Sequence, residues 1–488
     1  MSIIIYHTND MHARISTHDE NEASIGIEKI SKVVNLTKLK NKNTFYFDAG
    51  DLIHGTPRAN LDHSKQLVTL LNPSPLDAFV TGNHEYNFHI NRLCEISKEL
   101  KAYVLSANTL DATTHSPILL PYIIYNIDLN EDDYISEDSN DSKSDNIKMG
   151  VFGLATPETA YKTNPLNVPN IIFDNPITAA KNIVTMLKNT CDIIIALTHL
   201  GLDESSEFTS KRLAEEVEDI DLIIDGHSHT VLEHGLKINN TLIVQTGCHG
   251  QYLGKVIINN DIKAELLNEQ KIDNIIGDSD KFLLERLTKI DENIDRLLNK
   301  KLFYSNKELS GERELVRKQE SELGNLTADA IKWFTKADIA CVNGGDIRTS
   351  LPKGDITYKN ILAIFPFQNN ICTYNITGKL LKQMFEHSIE FVPAAFGGFL
   401  SVSSNVKIIY DVNKICEIYI NNELLDLDKT YTLAISEFLA VGGDDYTMLK
   451  QLKKVNTYDT IEKILVKYFN SNDIQPYSLG RLINKAII

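Results

Sequence analysis

The chain has 488 residues, enough for two or three domains of ~150 residues, each able to bury a core. Hydrophobic residues make up 42% and charged residues 24%, a composition that excludes collagen-like, mucin-like and wholly disordered proteins. The net charge of −17 argues against a general binder of nucleic-acid polymers or anionic membranes, because attraction to phosphate needs clustered Lys and Arg.

The sequence carries no recognisable signal for export or membrane insertion. It opens with MSIIIYHTNDMH, which has no basic stretch and only a three-residue apolar run. No later segment approaches the ~20 apolar residues of a membrane span. The six cysteines form no CxxC pair, which indicates reduced thiols rather than a zinc knuckle. We therefore predict a cytoplasmic protein with no membrane partner; the oligomeric state stays open.

Short apolar runs followed by turn residues predict buried strands in the first half of the chain. These runs are residues 3–6, 44–47, 78–80, 104–106, 149–154, 193–197 and 222–224. Helical patterns between them cover residues 25–39, 91–100 and 176–188. The alternation predicts a layered α/β domain with a sheet buried on both faces.

The remaining chain predicts a linker and a second α/β domain. Residues 128–146 are rich in Asp, Ser and Asn and are interpreted as a solvated loop. Residues 281–300 show helical spacing of apolar positions on one face, which suggests an interdomain helix. The predicted organisation is a first domain over residues 1–265, a linker over 266–301 and a second domain over 302–488.

Functional residue types cluster in the turns after the predicted strands. In chain order these turns contain Asp10-Met-His12, Gly50-Asp51, Gly82-Asn83-His84-Glu85, His199 and Gly226-His227-Ser-His229. The carboxyl ends of strands are where an α/β sheet gathers groups from distant parts of the chain. Carboxylates, an amide and imidazoles suit two divalent ions such as Mn, Zn, Fe or Co, and Asp51 could bridge both.

One such turn alone is usually an ordinary polar turn, whereas five in order are not. The set resembles the calcineurin-like metallophosphoesterase superfamily, whose signature runs DxH, GDxx, GNH[DE], H and GHxH. The resemblance implies a four-layer α/β sandwich with a dinuclear metal centre. It assigns one metal to Asp10, His12, Asp51 and His229, and the other to Asp51, Asn83, His199 and His227.

The resemblance also implies a chemistry for this centre. Two cations would activate a water and clamp the attacking and leaving oxygens of an in-line displacement, without a covalent enzyme intermediate. His84 would stabilise the phosphoryl charge or protonate the leaving oxygen. Some members carry an Asp three residues beyond this His, where the present chain has Asn87. Since an amide orients an imidazole but cannot stabilise its cation, we expect a weaker acid–base pair.

Three segments of the second half carry groups that suit nucleotide recognition. They contain Arg313 and Arg317; Arg348 followed by Phe367 and Asn369; and Phe438 followed by Asp444. Arginines can grip an anion in bidentate geometry, and two phenylalanines can sandwich a flat base. Phenylalanines often pack in a hydrophobic core, and surface arginines usually contact only solvent. The evidence for nucleotide binding is therefore the order of all these residues along the chain rather than any one of them.

These segments resemble the C-terminal domain of the 5′-nucleotidase and UDP-sugar hydrolase family. By that resemblance Arg313, Arg317 and Arg348 contact the substrate anion or ribose, Phe367 and Phe438 stack on the base, Asn369 contacts the base and Asp444 the ribose. The segment Gly397-Gly-Phe-Leu resembles the family's GGFLQVSG loop. Because metals and base pocket would lie on different domains, we expect a closing motion hinged near residues 300–312.

The sequence therefore predicts a metal-dependent hydrolase that releases phosphate from nucleoside 5′-monophosphates. Three alternatives within the same chemistry stay open: cleavage of 2′,3′-cyclic nucleotides, of UDP-sugars, or of nucleoside di- and triphosphates. An alternative of another class is a non-catalytic nucleotide-binding protein. The base preference and the metal identity are not decided by the sequence.

Overall fold

The computed structural model describes residues 2–17, 24–128, 146–163, 165–367, 369–471 and 478–486. The predicted acidic loop, apart from its two end residues, lies outside the described residues. The chain divides into two compact units, Met1–Ile294 and Asp295–Ile488. No helix among the described residues is both long and apolar enough to cross a membrane.

The first unit alternates strands and helices along the chain. Its strands are β1 (Ile3–Thr8), β2 (Thr44–Asp48), β3 (Ala78–Val80), β4 (Tyr103–Leu105), β5 (Thr109–Asp111), β6 (Tyr122–Asp128), β7 (Asn146–Ala155), β8 (Ile171–Phe173), β9 (Ile193–His199), β10 (Leu222–Ile224), β11 (Leu236–Ile238), β12 (Thr241–Val244), β13 (Leu253–Ile258) and β14 (Ile262–Leu267). Its helices are α1 (Ile27–Lys40), α2 (Pro57–Asn60), α3 (Lys65–Leu71), α4 (Ile90–Glu99), α5 (Thr159–Lys162), α6 (Pro176–Leu187), α7 (Ser210–Glu216) and α8 (Glu269–Ile276), and α9 (Lys281–Leu298) crosses the division between the units. Short 3₁₀ segments cover His84–Phe88 and Pro165–Asn167.

Two six-stranded sheets form the centre of the first unit, for which the apolar runs predict strands buried on both faces and the family resemblance a four-layer sandwich. Their strand orders are β14-β13-β1-β2-β3-β4 and β11-β12-β10-β9-β7-β6. Strands β1 to β4 are parallel, and so are β7, β9, β10 and β12. Antiparallel strands complete the edges of both sheets.

Alternating side chains of these strands pack in opposite directions, which produces four layers. In β2, Phe47 packs between the two sheets, whereas Tyr46 packs under the helices α1, α3 and α4. In the second sheet, Ile195 faces the other sheet and Ile194 packs under α6 and α7. The order helix, sheet, sheet, helix confirms the predicted four-layer sandwich. Strands buried on both faces also explain the uninterrupted apolar runs of the sequence.

Residues that the sequence assigns to a linker pack against the first unit. Ile272 of α8 and Leu287 of α9 belong to the core under the helices. The Lys29 ammonium of α1 lies 2.8 Å from Glu269 and 2.7 Å from Asp273. The division between the units falls inside α9, after Ile294.

The second unit has its own strands, helices and core. Its strands are β15 (Lys301–Ser305), β16 (Ile339–Asn343), β17 (Gly354–Thr357), β18 (Asn370–Thr377), β19 (Leu400–Val402), β20 (Val406–Asp411), β21 (Lys414–Ile420), β22 (Glu423–Leu424), β23 (Thr430–Ser436), β24 (Lys454–Thr460) and β25 (Leu482–Asn484). Its helices are α10 (Arg313–Val316), α11 (Glu322–Thr335), α12 (Tyr358–Ile364), α13 (Gly378–Ile389), α14 (Glu437–Ala440) and α15 (Ile461–Phe469), with 3₁₀ segments Gly443–Asp445 and Thr447–Gln451.

A five-stranded mixed sheet, in the order β19-β16-β23-β18-β24, separates the two cores of this unit. Ala340 and Ile371 face α11 and α15, whereas Cys341 and Cys372 face α13 and the four-stranded sheet β22-β21-β20-β25. The alternation again follows the two-residue period of a strand. This confirms the predicted second α/β domain.

Candidate active site

The predicted functional turns lie at the carboxyl ends of strands in both sheets of the first unit. The turns after β1, β2 and β3 belong to one sheet, whereas His199 ends β9 and the turn of residues 226–229 follows β10 of the other. The Asp10 N–H donates to the Gly50 carbonyl at 2.9 Å, and the His227 N–H donates to the Asp10 carboxylate at 2.9 Å. These bonds join the turns of the two sheets into one cluster.

Carboxylates and imidazoles in this cluster approach one another as the ligands of a metal would. Three sets each offer ligand atoms that all lie within 4.8 Å of one another: Asp10, His12 and His229; His12, Asp51 and His84; and Asp10, Asp51 and His199. The distance from His199 Nε2 to Asp51 Oδ2 is 3.2 Å, and that from His229 Nε2 to Asp10 Oδ1 is 3.4 Å. Asp10, His12 and Asp51 each belong to two of these sets, so the sets form one continuous cluster.

Several buried polar atoms of the cluster make no hydrogen bond. Among the described residues, Asp10 Oδ1, Asn83 Oδ1 and His199 Nε2 are buried without a hydrogen-bond partner. Asp10 Oδ1 and His199 Nε2 contact only other predicted ligands, His229 at 3.4 Å and Asp51 at 3.2 Å. Leaving Asn83 Oδ1 unsatisfied costs about 1–3 kcal/mol, which favours a ligand other than the protein at this atom. Carboxylate, amide and imidazole donors are ligands of divalent transition metals. The residues present therefore fit a divalent metal site.

The backbone of the cluster is strained. Positive φ angles occur at Asp10 (50°), His12 (48°), Asp51 (55°), His227 (80°) and His229 (53°). Each non-glycine residue in this region costs of order 1–3 kcal/mol and persists only where the surrounding structure imposes it. Such strain concentrates at functional sites, and here it coincides with five of the seven predicted ligands.

Glu85 binds the backbone of two of the functional turns. Its carboxylate accepts the N–H groups of Asp51 at 2.8 Å, Leu52 at 2.8 Å, Ile53 at 3.1 Å and Gly82 at 2.7 Å. The approach of the two turns requires a glycine at position 82, since a Cβ there would lie 2.2 Å from Asp51 Oδ1. Glu85 therefore holds the turn of Asp51 against the turn of Asn83.

Asn87 connects His84 to a distant threonine. The Thr163 hydroxyl donates to Asn87 Oδ1 at 2.8 Å, and Asn87 Nδ2 lies 2.8 Å from His84 Nδ1. An amide nitrogen only donates, so His84 Nδ1 accepts and the proton of the neutral ring is on Nε2. The His54 ring stacks on His84 with the ring centroids 5.4 Å apart. Asn87 thus lies where the sequence places it and leaves His84 Nε2 as a donor.

The three arginines predicted to bind substrate lie close enough in the second unit for the charges of two of them to lower the pKa of the third. The pKa of Arg317 is lowered by burial and by the positive charges of Arg313 and Arg348. Among the described residues, Arg317 Nε is buried without a hydrogen-bond partner. A guanidinium close to like charges and with a buried, unsatisfied N–H is suited to an anion.

The other predicted substrate contacts surround these arginines or line nearby turns. Phe367 is 54% exposed, and the Arg348 guanidinium lies 5.4 Å from its ring centroid. Asn369 Nδ2 donates to Asp346 at 3.3 Å. Phe438 is partly buried against the core beneath the five-stranded sheet. The pair of phenylalanines thus differs in exposure, with Phe367 the more accessible ring.

Comparisons with protein families agree with this geometry in both units. The family model described as calcineurin-like phosphoesterase matches residues 3–231. The model described as 5′-nucleotidase, C-terminal domain matches residues 303–451. The chain therefore joins a calcineurin-like phosphoesterase domain to a 5′-nucleotidase C-terminal domain. With these domains it is a metal-dependent phosphoester hydrolase.

Relatives share this two-domain organisation at low identity. A 5′-nucleotidase of Vibrio parahaemolyticus is 26% identical over 98% of this chain and 91% of its own length. The trifunctional nucleotide phosphoesterase YfkN of Bacillus subtilis is 27% identical over 92% of this chain. The chain spans only 32% of the length of YfkN. A putative 5′-nucleotidase from Staphylococcus aureus, solved with alpha-ketoglutarate, has the same fold, with a TM-score of 0.70, 20% identity and 99% coverage of both chains.

In the cluster of Asp10, Asp51, His199 and His229, the charges indicate that a bound cation would replace protons on the two imidazoles. Burial alone lowers the pKa of His199, but the carboxylates of Asp51 and Asp10 raise it to about 10. Hydrogen bonding to Asp10 and to Cys248 raises the pKa of His229 to about 10. The carboxylates therefore favour the protonated form of both imidazoles, and a bound cation would compete with these protons. Divalent cations release such protons when they bind.

His227 differs from the other predicted ligands of the phosphoesterase domain. Its ring lies beside that of His199, with centroids 5.0 Å apart. Its Nε2, however, lies 3.2 Å from Glu158 and 2.8 Å from Lys162 Nζ, and it belongs to none of the three sets of converging ligand atoms. Burial, together with the positive charges of His199 and Lys162, lowers the pKa of His227 to about 4. Its role as a metal ligand stays a prediction.

Several residues that shape the phosphoesterase cluster were not identified from the sequence. Glu158, Lys162 and Thr163 lie in the segment after β7, more than 60 residues from their partners His227 and Asn87. No local motif marks such residues, because their partners are fixed only by the fold. Glu85, by contrast, belongs to the quoted GNHE turn, and only its four backbone contacts were unforeseen.

Proposed function

We propose that this protein hydrolyses nucleoside 5′-monophosphates to nucleoside and phosphate. The observation that carries the proposal is the cluster of Asp10, Asp51 and His199, whose buried ligand atoms all lie within 4.8 Å of one another. The match of the second unit to a 5′-nucleotidase C-terminal domain and the nucleotide-cleaving relatives support the choice of substrate.

We propose that the cluster holds two divalent cations, of Mn, Zn, Fe or Co. The predicted ligands of one are Asp10, His12, Asp51 and His229, and those of the other are Asp51, Asn83, His199 and His227. Such a pair of cations supplies an activated water and neutralises charge on the phosphoryl oxygens. The choice among the four metals depends on availability as well as on the ligands.

The protein's own groups would orient and polarise the phosphate. With Asn87 bound to Nδ1, His84 presents an N–H at Nε2, which can donate to a phosphoryl oxygen or to the leaving oxygen. The strained turns fix the ligand atoms before substrate arrives, so little reorganisation is needed during the reaction. Glu85 contributes by holding two of these turns together.

The second unit would supply the substrate specificity. The cluster of Arg313, Arg317 and Arg348 favours an anionic ligand. The exposed Phe367 ring offers a stacking surface for a base, and the Asp444 carboxylate can accept hydrogen bonds from ribose hydroxyls. Stacking tolerates any base, so we expect a broad preference among nucleotides. A closing motion of the two domains stays a prediction of the sequence.

The proposal is tested by phosphate release from a substrate panel with Mn²⁺ present. The panel contains AMP, IMP, UMP, 2′,3′-cyclic AMP, UDP-glucose, ADP, ATP and p-nitrophenyl phosphate, and EDTA removes the metal in a parallel series. We expect the 5′-monophosphates to be cleaved fastest and EDTA to abolish turnover, because the water and the phosphate both depend on the cations. Turnover of p-nitrophenyl phosphate alone would support the metal site and contradict the nucleotide pocket.

Replacing Phe367 by Ala is expected to raise KM for AMP by roughly 5-fold to 100-fold with little change in kcat. The reason is that stacking of a base on an aromatic ring contributes about 1–3 kcal/mol to binding. Steady-state kinetics with AMP measures the effect. Phe282→Ala is the matched control, since Phe282 is 56% exposed and also has an arginine, Arg286, 5.5 Å from its ring. An unchanged KM for Phe367→Ala would remove Phe367 from the pocket.

The predicted cytoplasmic location is a separate proposal. Fractionation of cells that produce the full-length protein, followed by immunoblotting, tests it. Recovery outside the cytoplasmic fraction would contradict it.

A further inference from the structure

The turn that carries Asp444 has an unusual backbone. Gly442 (φ 97°), Asp444 (φ 48°) and Asp445 (φ 60°) all have left-handed conformations within four residues. Two of these are not glycine, and such residues adopt this region only when contacts elsewhere hold them there. The direction of the Asp444 carboxylate therefore depends on what fixes this turn.

The carboxylate of Asp444 is fixed from one side by the strand β16. Asn343 Nδ2 at the end of that strand donates to Asp444 Oδ2 at 2.9 Å. Gly397 leaves room for the carboxylate, since a Cβ at this position would lie 3.0 Å from Asp444 Oδ1. These contacts set the position of the side chain but not that of the backbone.

The backbone of Asp444 is fixed by His387, the one histidine of the sequence beyond residue 249. His387 Nε2 donates to the Asp444 carbonyl at 3.0 Å. The ring packs edge-on against Tyr446, with centroids 4.7 Å apart, and Tyr446 is itself bonded through its hydroxyl to the Gly398 carbonyl. The turn is thus held by His387 through its backbone, in addition to the contact of Asn343 with the Asp444 side chain.

His387 is itself held in a single orientation. It lies in the last turn of α13, and its side chain is only 12% exposed. Its other nitrogen, Nδ1, lies 3.0 Å from Glu390 Oε2. Both acceptors are oxygens, so each bond requires a proton on the ring nitrogen that makes it, and rotation of the ring would break whichever bond is formed. The donor at Nε2 is therefore available to Asp444 at little entropic cost.

We propose that His387 is a positioning residue for nucleotide binding: through the carbonyl of Asp444 it holds the Asp444 carboxylate in the direction that receives the ribose. The inference rests on the proposed function, in which Asp444 contacts the substrate. His387 itself contacts neither substrate nor metal. Its loss is expected to weaken nucleotide binding rather than to slow the chemical step.

Two substitutions separate the hydrogen bond to Asp444 from the rest of the His387 environment. In His387→Gln the side-chain NH₂ group can reach the place of Nε2 and keep the donor to Asp444. In His387→Asn the shorter side chain can replace only Nδ1, which faces Glu390. We expect His387→Asn to raise KM for AMP by about 3-fold to 10-fold, the loss that one hydrogen bond produces, with kcat nearly constant. His387→Gln is expected to restore KM to within about 2-fold of the unsubstituted protein.

The KM and kcat values of the His387 variants are compared with those of Asp444→Ala. The melting temperature of every variant is measured as well. An increased KM for Asp444→Ala with an unchanged KM for His387→Asn would overturn the role of His387 and leave the proposed function intact. Equal impairment by Asn and Gln, accompanied by a lower melting temperature, would assign His387 a structural role and also overturn the proposal. No cleavage of AMP by the unsubstituted protein, with p-nitrophenyl phosphate still cleaved, would overturn the nucleotide function and this inference together.

Discussion

Replacing Asp51 with Asn is expected to lower kcat/KM for AMP by at least about 10³-fold and to remove bound metal. Metal ions contribute several kcal/mol to stabilisation of the charged transition state, and each 1.36 kcal/mol is a factor of ten in rate. Asp51 belongs to two of the three sets of ligand atoms and is the predicted bridging ligand. Asn keeps the shape of the side chain. It also keeps an oxygen that can accept the backbone N–H of His84, which donates to Asp51 Oδ1 at 2.8 Å.

The metal content of the purified variant is measured by mass spectrometry, and phosphate release is measured in parallel. Asp203→Asn is the control, since it makes the same chemical change at an exposed position of the same unit. The control is expected to keep its metal and its activity. Full metal occupancy in Asp51→Asn together with full activity would contradict the assignment of Asp51 as a ligand.

Replacing Glu85 with Gln is expected to destabilise the first unit by about 2–6 kcal/mol and to reduce activity. The Glu85 carboxylate accepts two backbone N–H groups at each oxygen. A Gln side chain has only one oxygen, so two buried N–H groups would face an NH₂ group, and each unsatisfied donor costs about 1–3 kcal/mol. We expect the melting temperature to fall by at least ~5 °C.

The matched control for this change is Glu95→Gln on α4. The exposed Glu95 carboxylate lies 3.1 Å from the buried guanidinium of Arg92, which also pairs with Glu99 at 2.8 Å, so we expect the loss of the Glu95 charge to cost only about 0–1 kcal/mol. Melting is followed by circular dichroism, and turnover is followed with AMP. If Glu85→Gln had the same melting temperature and the same turnover of AMP as Glu95→Gln, the four backbone contacts of Glu85 would not be what holds the turns of Asp51 and Asn83 together.

The strands and functional turns of the first unit could be read from local sequence. The short apolar run of residues 78–80, Ala-Phe-Val, is followed by turn residues, and the structure has β3 at Ala78–Val80. The polar turn after it, Gly82-Asn83-His84-Glu85, follows because loops at strand ends carry polar groups. These features depend on residues close in the chain, which is why the sequence alone predicts them.

The distribution of the strands over two sheets could not be read in this way. The runs 149–154 and 44–47 look alike, yet β7 and β2 belong to different sheets. Strand pairing depends on backbone hydrogen bonds, which are the same for every residue type. The family resemblance supplied the four-layer arrangement, whereas the apolar runs by themselves predicted a layered α/β domain with a sheet buried on both faces.

The sequence by itself determined the chemistry of this protein: the carboxylates, amide and imidazoles at strand ends, the arginines and aromatic residues of the second half, and the strands that carry them. Only the tertiary structure decided which other residues hold these functional groups in place through hydrogen bonds. Thr163 fixes the amide of Asn87, Glu158 and Lys162 engage His227, and His387 holds the Asp444 turn. These partners are separated by 57 to 76 residues. The physical reason is that hydrogen bonds between distant residues leave no periodic pattern in the sequence, because they depend on where the folded chain brings each atom.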